Sequence, residues 1–135
     1  MDERLVLLIE DEPYIRRALI DLLEDAGYAT LTAETGHEAF DLLTGGDPRV
    51  AIVDINLPDG MSGYEVIRRL RDRFGDELAI LVLSGIGAQW SDPVAQGIGA
   101  DDYMTKPYNA DELLERIRRL VGRSPGDDAD PAVRQ

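Results

Sequence analysis

The chain has 135 residues, 44% hydrophobic and 30% charged, enough for one domain with a proper core and too few for two domains of ordinary size. Its 14 basic and 27 acidic residues give a formal net charge of −13, the wrong sign for a protein that neutralises many phosphates, so direct nucleic-acid binding is disfavoured. No cysteine is present, which excludes disulfides, thiolate metal sites and cysteine nucleophiles; no apolar run nears the roughly 20 residues that span a bilayer, and Met1-Asp2-Glu3-Arg4 does not open a signal peptide, so a cytoplasmic protein without membrane contact is expected.

The first apolar run predicts a strand near residues 5–9, ending on Glu10 and Asp11. Pro13 suits the first turn of a helix near 13–26, where Ile15, Leu19, Leu22, Leu23 and Ala26 recur at helical spacing and Gly27 serves as the C-terminal cap. A strand near 28–33 follows, then a helix near 36–44 opened by Thr35 with Glu38. The next strand, near 50–53, ends on Asp54 and a loop rich in breakers, after which Ser62 and Glu65 open a helix near 63–74. A strand near 78–83 ends on Ser84; beyond it come a helix near 91–98, a short strand near 101–104 and a last helix near 110–121, opened by Asn109 with Glu112.

Apolar runs without polar alternation suit strands buried on both faces, and the βα alternation predicts an α/β fold: five parallel strands, doubly wound, with helices on both faces. Residues 1–122 are expected to form that domain, and residues 123–135, rich in Pro, Gly and Asp, a mobile tail or truncated linker. His37 reads as a surface residue, and Arg68, Arg69, Arg71 and Arg73 as a solvated helix face. Trp90 reads equally as an exposed anchor or as cover for a hydrophobic edge.

In an open parallel sheet, ligands bind beyond the carboxyl ends of the strands. The residues there are Glu10, Asp11, Asp54, Ser84 and Lys106. Three carboxylates on neighbouring strand ends raise one another's pKa unless a cation lies among them, and an all-oxygen donor set suits magnesium. A hydroxyl and an ammonium beside that ion complete a pocket for a phosphoryl group. Of the 14 basic residues 13 are arginine, and Lys106 is the exception; a compact ammonium and a planar guanidinium are not interchangeable at a site.

Ser84 lies 30 residues past Asp54, and Lys106 a further 22 past Ser84. The pieces Leu7-Leu8-Ile9-Glu10-Asp11-Glu12, Val53-Asp54-Ile55-Asn56-Leu57-Pro58, Gly60-Met61-Ser62-Gly63, Leu83-Ser84-Gly85, Gly99-Ala100-Asp101-Asp102-Tyr103 and Thr105-Lys106-Pro107, in that order over about residues 4–121, resemble the receiver domain of two-component response regulators, a CheY-like family. The resemblance implies a flavodoxin-like sheet of order 2-1-3-4-5 and a phosphorylation switch that is not an enzyme in the ordinary sense, though it assists its own phosphorylation and dephosphorylation. Asp54 then corresponds to the phosphoacceptor, and Glu10, Asp11, Asp54 and the backbone carbonyl of Asn56 to the Mg2+ ligands. Ser84 is the hydroxyl that turns toward the phosphate, Tyr103 the aromatic that swings in behind it, and Lys106 the lysine that pairs with it, followed by a cis bond to Pro107. The implied donor is a phosphohistidine on a sensor histidine kinase or histidine phosphotransfer protein. The implied output is a change in the face formed by the fourth helix, fifth strand and last helix, which regulates a downstream protein.

Two competing readings remain at this level. An α/β phosphohydrolase using Asp54 as a transient nucleophile usually carries a second acid two residues on, where this chain has Asn56. A receiver fragment of a longer transcription factor would dimerise through the fourth helix. The segment Ser91 to Gly99 holds Pro93, Gly97 and no basic residue, so activation is expected to leave a monomer whose partner docks near Trp90, Tyr103 and the last helix.

Overall fold

The computed structural model describes residues 2–57, 60–85, 97 and 99–122. Strands β1 (Asp2–Ile9), β2 (Ala29–Ala33), β3 (Pro48–Asp54), β4 (Ala79–Ser84) and β5 (Asp102–Thr105) form one parallel sheet of order β2-β1-β3-β4-β5. Helices α1 (Pro13–Asp25), α2 (Gly36–Leu42), α3 (Gly63–Phe74) and α4 (Ala110–Gly122) connect or follow the strands, with 3-10 turns at Leu43–Gly45 and Gly75–Glu77. The doubly wound α/β expectation and its strand order are met. The helix expected near residues 91–98, the environment of Trp90 and the tail 123–135 fall largely or wholly outside the described residues, and with them the argument for a monomer.

The central strands β1, β3 and β4 are buried on both faces, which is why their apolar runs do not alternate with polar residues, whereas the edge strands β2 and β5 are only partly covered. Val6, Leu7, Leu8 and Ile9 are all inaccessible to solvent. Leu7, Ile9, Ala51, Val53, Ile80 and Val82 face Val66, Ile67 and Leu70 of α3 and Ala39 of α2. Val6, Leu8, Val50, Ile52, Leu81 and Leu83 face Leu19 and Leu23 of α1 and Leu113, Ile117 and Leu120 of α4. The sheet thus lies between two apolar layers, and water reaches it at the strand ends and along the edge strands β2 and β5.

The helix starts follow the sequence signals. The side-chain oxygens of Thr35, Ser62 and Asn109 accept the backbone N–H of Glu38, Glu65 and Glu112 at 3.1, 3.2 and 3.0 Å. Pro13 opens α1, where Glu12 supplies the cap by accepting Ile15 N–H at 2.8 Å. Gly27 follows α1 at φ +94°, the conformation that closes a helix without a Cβ penalty. His37 is exposed, as expected.

Arg71 departs from the expected solvated face. Its guanidinium is largely buried and donates to the carbonyls of Leu78 at 2.7 Å and Gly99 at 2.6 Å and to the Asp101 carboxylate at 2.9 Å. Asp101 in turn accepts Ile80 N–H at 2.7 Å. A planar fork of five donors can fasten α3 to the starts of β4 and β5 at once. Helical spacing alone could not separate Arg71 from Arg68 and Arg69, which do lie exposed beside Glu65.

Candidate functional site

The ladder brings the strand ends level. Ile9 pairs with Val53, Asp54 with Leu83, and Ser84 with Thr105, so Glu10 and Asp11, Asp54, Ser84 and Lys106 leave four adjacent strands at one edge. Glu10 N–H closes the ladder to Ala33 O at 3.0 Å and Lys106 N–H closes it to Ser84 O at 2.7 Å, fixing the first turn of each loop. Residues up to 96 apart in sequence thereby converge.

Glu10 is fully buried, Asp54 and Ser84 are 4% exposed, and Asp11 is half-buried. One carboxylate oxygen from each of Glu10, Asp11 and Asp54 lies within 4.8 Å of the others. Lys106 reaches across β4, its ammonium 2.8 Å from Glu10 Oε1 and 3.1 Å from Asp54 Oδ2. The other Asp54 oxygen accepts Asn56 N–H at 2.9 Å, so both its oxygens are held in place. Asn56 is itself exposed, Tyr103 packs half-buried at the margin of the α3-side core, and the Lys106–Pro107 bond is cis, as expected.

One expectation needs refinement. The three carboxylates are not without a cation in the bare protein, because Lys106 already lies between two of them. Burial, and then Asp54, push the Glu10 carboxyl up to about 7 despite Lys106. Burial also acts to raise Asp54, but hydrogen bonds from the Glu10 carboxyl, Asn56 N–H and Lys106 outweigh it, leaving Asp54 lowered. Lys106 is disfavoured by burial and favoured more strongly by its two carboxylate partners, so it is raised. These opposite shifts favour Glu10 over Asp54 as the carboxyl that holds a proton in the bare site.

This predicts a pH dependence in the metal-free protein. Between the ordinary carboxyl value of 4.5 and about 7, folded Glu10 keeps a proton that the unfolded chain has released. Its contribution to stability thus falls as pH rises through that window, whereas that of Asp54 is present above its ordinary value of 3.8 and lost as pH falls. Denaturant unfolding in chelator should show the parent losing stability relative to Glu10→Gln between pH 5 and 7.5. Parallel profiles for the two proteins would remove Glu10 as the proton holder.

The donor set fits a hard divalent ion: three carboxylates gathered at the carboxyl edge of the sheet, one partly open to solvent, with no nitrogen or sulfur ligand among them. An ammonium beside them suits an anion brought to the same place.

The model of the response regulator receiver domain matches residues 6–118. The chain belongs to that family. This receiver domain is therefore part of a signalling family of two-component systems. It is 43% identical over 121 residues to the cell cycle response regulator CtrA of Brucella ovis, covering 90% of this chain and 51% of that protein. The chain thus spans about half the length of the curated relatives it matches. Among solved structures it resembles the response regulator TrrA from Thermotoga maritima in complex with Mg2+ and BeF, at 36% identity and TM-score 0.75, covering 87% of this chain and 98% of that one. It also resembles a putative response regulator from Chloroflexus aurantiacus, at 30% identity and TM-score 0.80 over 89% and 98% of the two chains.

The sequence-predicted residues Glu10, Asp11, Asp54 and Lys106 are brought together, with Ser84 on the strand end between Asp54 and Lys106. The sequence reading missed Arg16, whose guanidinium binds the loop that carries Glu10 and Asp11. It lies on α1 at no special spacing, and only the folded loop gives it partners. Tyr108 was also missed; it is half-buried beyond Pro107, and burial, with Glu10 nearby, raises its hydroxyl pKa.

Proposed function

We propose that this receiver domain accepts a phosphoryl group on Asp54 from a phosphohistidine of a sensor kinase or phosphotransfer protein, and that the modified domain regulates a downstream protein. The observation that carries the reading is the buried Asp54 carboxylate with both oxygens held, one by Asn56 N–H and one by Lys106, beside Glu10 and Asp11. An Asp54 oxygen forms the bond to phosphorus in line as the donor's nitrogen–phosphorus bond breaks, and the electron pair leaves with the imidazole. Lys106 offers an ammonium to the transferring oxygens. Glu10, Asp11, Asp54 and the Asn56 carbonyl would hold Mg2+, which supplies positive charge against the phosphoryl oxygens.

Phosphorylation adds charge where Asp54 now meets Lys106, and the ammonium exchanges a carboxylate partner for phosphate. Ser84, on the adjacent strand end, turns to the new oxygens, and Tyr103 moves inward from the margin of the core. The surface read by a partner includes β5 and α4. The magnesium-bound TrrA complex supports this reading by fold and identity.

The test is incubation with a small acyl phosphate donor followed by intact-mass measurement. One phosphoryl group should be gained with magnesium and none in chelator. Asp11→Ala, which removes the most open of the three carboxylates, should require at least about tenfold more magnesium for half-maximal uptake. Undiminished uptake in excess chelator would end the metal assignment.

A further inference from the structure

Glu10 and Asp11 sit just past the last ladder bond of β1, on the loop between strand and helix. Strand pairing therefore fixes Glu10 N–H but does not account for the two carbonyls that follow. Both are held by one side chain. Arg16, in the first turns of α1, donates from Nη1 to Glu10 O at 3.0 Å and to Asp11 O at 3.3 Å, while Nη2 pairs with Glu34 Oε1 at 3.0 Å beyond β2. The Arg16 side chain is 19% exposed, and one guanidinium thus ties α1, the acidic loop and the segment after β2.

We propose that Arg16 is a positioning residue for the divalent-ion site, holding the Glu10 and Asp11 peptides so that their carboxylates stay aimed at Asp54. This rests on the reading of the site as a magnesium pocket. Fixing a residue's carbonyl fixes the peptide plane and hence the direction of its Cα–Cβ bond. Outer partners of this kind commonly influence metal affinity about 10–100-fold without touching the ion.

Charge alone predicts the opposite sign. Arg16 is a cation near a cation site, so if only its field mattered, removing it would tighten binding. Arg17 provides the comparison: it lies next in sequence, is exposed and pairs with Asp21 at 2.8 Å on its own helix, away from the acidic loop.

The experiment titrates the full chain with Mn2+, reading the free ion by electron paramagnetic resonance, and separately measures phosphoryl uptake against magnesium concentration. Arg16→Met should weaken Mn2+ binding about tenfold and raise the half-saturating magnesium by a similar factor, while uptake at saturating magnesium stays close to the parent. Arg17→Met should bind within about twofold of the parent, since it removes the same charge but no loop contact. Arg16→Lys keeps the charge but cannot span both carbonyls and Glu34, so it should weaken binding severalfold. That variant carries the test if Arg16→Met does not fold. Parent-like or tighter Mn2+ binding in the folded Arg16 variants would overturn the proposal, as would equal weakening by Arg17→Met. A parent protein that binds no Mn2+ at all would instead sink the magnesium-pocket reading on which the proposal stands.

Discussion

Asp54→Asn is expected to take up no phosphoryl group from any donor, under conditions in which the parent is fully modified. The amide has the carboxylate's size and can still accept Asn56 N–H, so the strand end should keep its shape. What it lacks is an anionic oxygen to form the bond to phosphorus. Lys106→Arg is the companion change. The ammonium fits between two buried carboxylates at 2.8 and 3.1 Å, a place too narrow for a planar fork. Loss of a preorganised donor of this kind costs on the order of 100-fold in rate. Initial rates by intact mass, with circular dichroism to confirm folding, check both variants. Full modification of Asp54→Asn would place the phosphoacceptor elsewhere, and a Lys106→Arg rate within about twofold of the parent would remove the special role of the ammonium.

The second large effect is expected at Gly63, the first residue of α3. A Cβ there would lie 2.7 Å from both the Cα and the carbonyl oxygen of Ile55 and 2.9 Å from Asp54 O. These are backbone atoms of the chain leaving β3 and cannot rotate aside. Gly63→Ala should therefore push α3 from the sheet and cost about 3 kcal/mol or more, with Gly63→Val failing to fold stably. Gly36 makes a useful contrast: its added Cβ would meet the Val66 side chain at 2.6 Å and Met61 Sδ at 3.0 Å, groups that can partly repack, so its cost should be smaller. At Gly45 nothing lies within 4 Å, and alanine there should change stability by less than about 1 kcal/mol. Urea unfolding of the three alanine variants gives the order. If Gly63→Ala were as stable as Gly45→Ala, the close approach of α3 to β3 would not exist in solution.

The sequence by itself determined the strands, their burial and most of the helix starts, because these depend on local quantities. An unbroken apolar run such as Val6 to Ile9 has to be covered on both faces, and Thr35, Ser62 and Asn109 each satisfy a backbone N–H three residues away. The candidate site was legible for a related reason: in a parallel sheet the residue that ends each apolar run lies at the carboxyl edge, so Glu10, Asp54, Ser84 and Lys106 could be named from where the runs stop. Tertiary structure alone decided which charges meet. Lys106 selects Asp54 across β4 and Glu10 across β4 and β3, and those contacts, with burial, shift two acids that look equivalent in sequence in opposite directions. Arg71 and Arg16 share the composition and spacing of solvent-facing arginines, yet each is drawn under a loop whose carbonyls lie outside helix and strand. A guanidinium's destination is set by which unpaired acceptors the fold leaves within its reach, and that is a property of the assembled loops rather than of the helix that carries it.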